Sequence, residues 1–144
     1  MKILLKSFSL ILFTLASCKD RKPVIEASKE PKSTRYAMVT GLKPEKIEYY
    51  KKLHAAAWPG VLKKISECHI RNFSIYMKKI DNSYFLFSYF EYTGTDFNAD
   101  MNKMAADSTT RRWWKETDPC QLPLPDAVSK GEIWSGMDEL FHEN

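Results

Sequence analysis

One nine-residue segment limits the folds that this chain can adopt. Residues 84–92 read YFLFSYFEY, and successive side chains of a strand point to opposite faces of the sheet. Phe85 and Phe87 make one face apolar, and Leu86 and Phe90 do the same for the other. Helices can cover only one face, so the other needs a second sheet, most simply from a second copy of the chain. The sequence therefore predicts a homodimer whose two sheets close into a barrel-like core, with room for a pocket in each protomer.

The residues before this segment predict a strand and then a helix. Residues 36–42 form the strand, which stops before Pro44, a residue that suits the first turn of a helix. From Glu45 onward, apolar residues recur at intervals of three and four, which is helical spacing. Pro59 interrupts the pattern and removes one backbone donor, so we expect it either to kink the helix or to divide it in two.

A β-hairpin is predicted next. Residues 70–77 alternate between two faces, which places Phe73 and Tyr76 on opposite sides of the strand. Residues 81–83, Asp-Asn-Ser, are typical of a turn, and residues 84–92 then form the second strand.

The C-terminal part predicts more helix and a last strand. Residues 95–106 have helical spacing, and Asp107 is placed to cap a further helix that carries Trp114. Residues 118–125 contain three Pro and predict an irregular loop, whereas the chain from Gly131 onward predicts an edge strand. This order fits an α+β fold, a ferredoxin-like sandwich with an antiparallel sheet and helices on one face.

The N-terminus predicts an export signal. Two Lys precede an apolar run that is too short to span a bilayer but suits the core of a signal peptide, so residues 1–17 are predicted to be that peptide. Small residues before Cys18 resemble a bacterial lipobox, in which the Cys is lipidated and becomes the mature N-terminus. The alternative is an ordinary signal peptide cleaved nearby, with Cys18 as a structural thiol.

A tether is predicted between the lipid and the domain. Residues 18–34 begin with the lipidated Cys18 and continue as a charged segment with two Pro and no apolar period. The domain then covers residues 35–144. We expect a protein of the cell envelope that is lipid-anchored to a bacterial membrane and faces the periplasm or the exterior, and that touches the membrane only through this N-terminal lipid.

Several function classes are disfavoured. A net charge of +4 is too weak to indicate nucleic-acid binding, and no phosphate-binding loop or nucleophile elbow is present. His54, His69 and His142 are scattered without metal-ligand spacing, so no metal is expected. Cys68 and Cys120 could pair outside the cytoplasm or remain two buried thiols.

Two aromatic groups are candidates for a site. Tyr50, His54 and Trp58 are spaced four residues apart and share one helical face. A His on such a face is often a satisfied core residue, but an imidazole also exchanges protons near neutral pH. Trp113 and Trp114 point about 100° apart on a helix. They serve either as core or dimer contacts, or as platforms for the C–H faces of a sugar.

Three segments resemble the L-rhamnose mutarotase family. They are residues 48–59 with the pattern H-x-x-x-W-P, residues 72–76 (NFSIY) and residues 112–115 (RWWK), in the order and at the separations of that family. The resemblance covers the chain from residue 35 to the C-terminus. It implies a small dimeric α/β-barrel domain over residues 35–144 that interconverts the α and β anomers of a monosaccharide without a cofactor.

The resemblance also implies site residues. His54 corresponds to the catalytic proton donor, Tyr50 to a Tyr that contacts the sugar, and Trp113 and Trp114 to the paired Trp that line the sugar site. Phe73 stands where the family has a sugar-contacting Tyr. A site built to bond a substrate hydroxyl discriminates strongly by that bond, so the loss of this polar contact leaves the identity of the sugar open.

Mutarotation requires one acid and one base. Ring opening protonates the ring oxygen and deprotonates the anomeric hydroxyl, and the resemblance implies that His54 takes part in this proton transfer as acid or base. The second acceptor is Tyr50, a carboxylate such as Asp107, or a water. The alternatives are a non-catalytic carbohydrate-binding lipoprotein of the same fold, and a different dimeric α/β-barrel enzyme such as a cofactor-free monooxygenase.

Overall fold

An antiparallel sheet with helices on one face forms the described part of the chain. The computed structural model describes residues 33–143. The predicted signal peptide, Cys18 and all but the last two residues of the predicted tether lie outside this range. In it, the strands are β1 (Thr34–Leu42), β2 (Ile70–Ile80), β3 (Ser83–Tyr92), β4 (Gln121–Leu122) and β5 (Ser135–Met137). The helices are α1 (Ile47–Ala55), α2 (Pro59–Glu67), α3 (Phe97–Ala106), α4 (Ser108–Thr117) and α5 (Pro125–Lys130), with 3-10 helices at Pro44–Lys46 and Asp118–Cys120.

The sheet is built around β1 and β3. Its order is β2-β3-β1-β4, and β5 also pairs with β1. β1 and β3 pair along their whole length, from Thr34 opposite Tyr92 to Leu42 opposite Tyr84. The two short strands share the other edge of β1, where Leu42 pairs with Gln121 of β4. This architecture is the predicted ferredoxin-like α+β sandwich.

β2 contains a bulge that changes which side chains face the helices. Its register with β3 shifts within residues 71–74, and Asn72 has a φ of 51°. A bulge adds a residue to one strand and so breaks the alternation of faces. Ile70 packs in a core cluster with Phe90, and the ring of Phe73 lies 5.8 Å from the ring of Phe90. Uninterrupted alternation would have placed Ile70 and Phe73 on opposite faces, whereas both face the helices.

Proline residues define where helices begin. Pro59 divides the predicted long helix in two, because Trp58 before it is extended with a ψ of 131° and Pro59 starts α2. The prediction that residues 118–125 form only an irregular loop is wrong. Pro119 lies in the first turn of a 3-10 helix and Pro125 begins α5, which are the positions at which Pro is tolerated in helices. Between them, Gln121 and Leu122 form β4.

Two Asp side chains cap the helices on either side of residue 107. The Asp96 side chain accepts a hydrogen bond from the backbone N–H of Ala99, so α3 begins at Phe97 and not at the predicted residue 95. Asp107 caps α4 as predicted, and its Oδ1 accepts from the backbone N–H of Thr110 at 2.7 Å.

The helix-facing side of the sheet forms the core. One cluster contains Leu42, Tyr50, Leu86 and Cys120, and a second contains Cys68, Ile70, Phe90 and Met104. The two cysteines are buried, free and in different clusters, so the alternative of two buried thiols holds. No helix within residues 33–143 is long and apolar enough to cross a membrane.

The other face of the sheet is only partly covered. Phe85 and Phe87 of β3 are half-buried, and Tyr76, which pairs with Phe87 across the ladder, is 63% exposed. Met137 of β5 is exposed as well. The helices therefore cover one apolar face of β3 and leave the other accessible in the single chain.

Candidate functional site

A cavity of two adjoining chambers lies between the sheet and the helices. The apolar chamber, about 360 Å³, extends towards α2 and is lined there by Val61, Leu62 and Ile65. The second chamber, about 560 Å³, extends towards the end of α4, where it is lined by Trp114, Thr117, Asp118, Gln121, Glu132 and Trp134; it is called the polar chamber after the polar side chains at this end. The side chains common to both chambers are Tyr50, His54, Phe73, Ile75 and Trp113. The five predicted sugar-site residues thus line one cavity, with Trp114 in the polar chamber alone.

His54 occupies the boundary between the chambers and is half-buried in the last turn of α1. Its Nδ1 lies 3.0 Å from the backbone carbonyl oxygen of Tyr50. A carbonyl oxygen only accepts hydrogen bonds, so Nδ1 carries the proton of the neutral ring and Nε2 is left as an acceptor. Burial lowers the pKa of His54, although the bond to Tyr50 opposes that shift. The residue is therefore a neutral imidazole with a basic Nε2 at neutral pH.

Aromatic rings hold His54 in place. Its ring centroid lies 4.2 Å from that of Tyr50 and 5.3 Å from that of Trp113, which meets it edge to face. Trp58 packs against Trp113 in the same way at 5.4 Å and lines neither chamber. The three residues predicted to share one helical face therefore have different places. Tyr50 and His54 line the cavity, whereas Trp58 lies outside it and packs against Trp113.

The Tyr50 hydroxyl is suited to donating a hydrogen bond. Tyr50 is buried, and burial raises its pKa far above the ordinary value, with further contributions from Cys120 and Asp118. The hydroxyl therefore stays protonated at neutral pH. This argues against Tyr50 as the second proton acceptor that the sequence left open.

Phe73 leaves one wall of the cavity without a hydroxyl. It lies in the bulge of β2, is 43% exposed and lines both chambers. Tyr76 is exposed on the opposite face of β2, as the alternation predicted. Tyr76 therefore does not replace the hydroxyl that Phe73 lacks.

Polar side chains that the sequence analysis missed lie at one end of the cavity. Asp118 is half-buried in the polar chamber, where burial raises its pKa and a hydrogen bond with Thr117 opposes the shift. It comes four residues after Trp114, a helical spacing that could have identified it. Gln121 and Glu132 line the same chamber, but no local pattern marks either residue.

Asp107 lies outside the cavity. It lines neither chamber, and its carboxylate caps α4 through the backbone and hydroxyl of Thr110, which lower its pKa. Among residues 33–143 no group of three or more His, Cys, Asp or Glu side chains is placed to hold a metal ion. His69 lies outside both chambers and pairs with Asp100 at 2.7 Å.

The fold and the cavity define a ferredoxin-like α+β protein with a histidine in an aromatic pocket between sheet and helices. A sequence profile described as L-rhamnose mutarotase matches residues 35–143. The chain belongs to the L-rhamnose mutarotase family, as its motifs suggested.

Individual relatives agree with this assignment. The L-rhamnose mutarotase of Phocaeicola vulgatus is 30% identical over 102 residues, which cover 64% of this chain and 93% of the relative. That of Oceanobacillus iheyensis is 27% identical over 108 residues, covering 75% and 96%. The crystal structure of an L-rhamnose mutarotase from Formosa agariphila is similar with a TM-score of 0.58 at 20% identity. That match covers 78% of this chain and 100% of the other, and it supports the fold.

Proposed function

We propose that this protein is a mutarotase that interconverts the α and β anomers of L-rhamnose or a related monosaccharide. The observation that carries the proposal is the position of His54, whose Nδ1 is held by the Tyr50 carbonyl within the aromatic cavity of a member of this family. A basic Nε2 in such a cavity is suited to the proton transfer that anomer exchange requires.

Ring opening needs two proton transfers, and ring closure reverses both, so the protonation states of the protein groups are restored at the end of the reaction. A base removes the proton of the anomeric hydroxyl while an acid protonates the ring oxygen, and the bond between the anomeric carbon and the ring oxygen breaks. The open-chain aldehyde rotates about its first carbon–carbon bond, and the reverse transfers close the ring on the other face. We assign His54 Nε2 as the group that takes the anomeric proton during ring opening, because the ring is neutral, and that donates the proton back on ring closure, so it is a proton donor, as the family resemblance implies, only in the closing step.

Asp118 is our candidate for the second group. It lines the polar chamber together with His54, and burial shifts the pKa of the carboxyl upward while it shifts the pKa of the imidazole downward. Both shifts favour the uncharged form of the group, a carboxyl that can donate a proton and an imidazole that can accept one, which suits an acid and a base that act on one substrate. A carboxyl group with a raised pKa can protonate the ring oxygen and recover the proton on closure.

The walls of the cavity suit a sugar. Trp113 and Trp114 offer flat apolar faces, and Tyr50 offers a hydroxyl that stays protonated. Asp118 and Gln121 supply polar groups at one end. A few polar groups in a mostly apolar cavity are typical of small-molecule sites, where the polar groups fix orientation.

Catalysis and mere binding are separable by experiment. A non-catalytic carbohydrate-binding protein of the same fold is the alternative, and it would use the same aromatic cavity. Saturation-transfer NMR should show that wild-type protein accelerates anomer exchange of L-rhamnose, L-fucose or a related sugar above the rate in buffer. Binding in calorimetry without acceleration for any sugar would contradict the mutarotase proposal and support the alternative.

We also propose a homodimer. The accessible face of the sheet, with Phe85, Phe87, Tyr76 and Met137, is apolar enough to pack against the same face of a second chain. Two sheets packed in this way would cover the second apolar face of β3.

Export and lipid anchoring at Cys18 form a separate proposal. The order of Lys, apolar run, small residues and Cys supports a lipid-anchored protein of the cell envelope. In bacterial cells fed a labelled fatty acid, the wild-type chain should carry the label in the membrane fraction and Cys18→Ser should not. Equal labelling of both chains would contradict the anchor.

A further inference from the structure

Gln121 lies in the polar chamber and is held there by the sheet. It is 4% exposed, and its backbone pairs with Leu42 of β1 in the short strand β4. Because β1 is an inner strand of the sheet, this pairing fixes the position of the Gln121 backbone and Cβ atom. The residue therefore belongs to the rigid part of the cavity.

A hydrogen bond to Thr117 determines the orientation of the Gln121 side-chain amide. Its Nε2 donates a hydrogen bond to the backbone carbonyl oxygen of Thr117 at 3.3 Å. If the amide were turned over, two acceptors, Oε1 and the Thr117 carbonyl oxygen, would face each other. The bond to Thr117 therefore directs Oε1 away from that carbonyl.

Oε1 of Gln121 is buried without a partner among residues 33–143. Buried polar atoms in folded proteins almost always have a hydrogen-bond partner, and an exception calls for an explanation. The acceptor needs an N–H or O–H donor, and the cavity it lines is one in which a sugar would present several hydroxyl groups.

We propose that Oε1 of Gln121 accepts a hydrogen bond from a hydroxyl group of the bound monosaccharide, so that Gln121 determines which sugars the site prefers. This inference rests on the proposed sugar site. Phe73 lines the same chamber and offers no hydroxyl, so Gln121 is one of the few side chains there that can form a hydrogen bond with the sugar. Because Oε1 only accepts, the site selects a sugar that carries a hydroxyl group at this place over an analogue that lacks it.

Ser88 provides a matched control. Its Oγ is the other buried side-chain oxygen without a partner among the described residues, and Ser88 lines neither chamber. Ser88→Ala therefore removes a comparable buried polar atom without touching the site. A loss of sugar affinity in Gln121→Met that is absent in Ser88→Ala cannot come from the removal of a buried polar atom as such.

The first measurement follows the amide directly. Gln121 is the only glutamine in the sequence, so protein isotopically labelled at its glutamine side-chain nitrogen gives one NH₂ signal pair. We expect titration with L-rhamnose to shift this pair. Among analogues that lack one hydroxyl each, the analogue without the bonded hydroxyl should leave the pair nearly unshifted.

The second measurement is calorimetry on the wild type, Gln121→Met and Ser88→Ala. Gln121→Met should bind L-rhamnose about tenfold more weakly, the effect of one hydrogen bond, but should bind the analogue without the bonded hydroxyl as well as the wild type does. Equal affinities of Gln121→Met and wild type for every sugar, with an unshifted NH₂ pair, would overturn the inference and indicate that water satisfies Oε1. A uniform loss across all analogues would also overturn it.

The outcome is separable from that of the proposed function. If sugars bind with the expected Gln121 pattern but the wild type does not accelerate anomer exchange, the mutarotase proposal fails and the Gln121 inference stands. If the wild type accelerates exchange while Gln121→Met binds every sugar as the wild type does, the Gln121 inference fails and the mutarotase proposal stands. If no sugar binds, both fail.

Discussion

His54 and Tyr50 are joined by a side-chain to main-chain hydrogen bond, with His54 Nδ1 3.0 Å from the Tyr50 carbonyl oxygen one helical turn earlier. The bond fixes the tautomer of the ring, because the carbonyl oxygen can only accept. Burial in the aromatic cavity lowers the pKa of the same ring. The two effects together keep a basic Nε2 available at neutral pH.

The pH dependence of anomer exchange should follow His54. Its pKa is lowered from the ordinary value of 6.5, so the active neutral form persists below that pH and exchange falls only at more acidic values. Measurement of exchange rates against pH should give an acid limb with a midpoint below 6.5. An acid limb above that value would contradict the assignment.

The same shift affects stability. Because the folded-state pKa is below the unfolded value, the unfolded state binds more protons as the pH falls through this range. The contribution of His54 to stability is therefore complete above 6.5 and is lost as the pH falls from 6.5 through the lowered pKa. Urea unfolding of wild type and His54→Ala over this range should show a smaller pH dependence in the variant.

Asp118→Asn should slow anomer exchange by about 10²- to 10⁴-fold, the usual effect of removing a general acid or base. The fold should tolerate the change, since the carboxyl is half-buried with a raised pKa and an amide does not have to be ionised. Asp107→Asn is the control, because Asn also caps helices and residue 107 lines neither chamber. Similar exchange rates in the two variants would remove Asp118 from the mechanism.

Phe73→Tyr should strengthen the binding of L-rhamnose. The residue is 43% exposed at the cavity, so a hydroxyl can be added without being buried. One added hydrogen bond corresponds to an increase in affinity of up to about tenfold. Calorimetry should detect this increase, and Tyr76→Phe on the opposite face should leave the affinity unchanged. A weaker affinity in Phe73→Tyr would mean that Phe73 itself is matched to the ligand.

The accessible face of the sheet should hold two protomers together. Tyr76→Lys places a charge opposite Phe87 of the same face, and sedimentation velocity should then show a shift from dimer to monomer. Lys63→Ala changes an exposed residue of α2 and should remain dimeric. A wild-type protein that sediments as a monomer at micromolar concentration would contradict the dimer.

Much of the fold follows from local patterns in the sequence. The apolar residues 84–92 predict β3, and Pro59 predicts the division of the helix. β4 and α5 were missed because three Pro in eight residues indicate a loop, whereas Pro119 and Pro125 begin helices. The bulge at Asn72 was missed because an alternating pattern does not reveal an inserted residue.

Residues of the candidate site were predictable from the sequence where they lie on the same helix. Tyr50 and His54 lie one helical turn apart, and Trp113 and Trp114 are adjacent, so spacing and family motifs together identified them. Gln121 reaches the chamber because β4 pairs with β1 at Leu42, and these two residues are far apart in the sequence. No local pattern predicts a pairing over that distance.

The most direct test of the account is the anomer exchange rate of L-rhamnose with wild type, His54→Ala and His69→Ala at equal concentration. His69 serves as the control because it lines neither chamber. Circular dichroism should first establish that all three proteins are folded. Saturation-transfer NMR should then show enhanced exchange with wild type and His69→Ala, and a loss of at least about 10²-fold of the enhancement with His54→Ala. Enhancement that survives in His54→Ala would contradict the central claim.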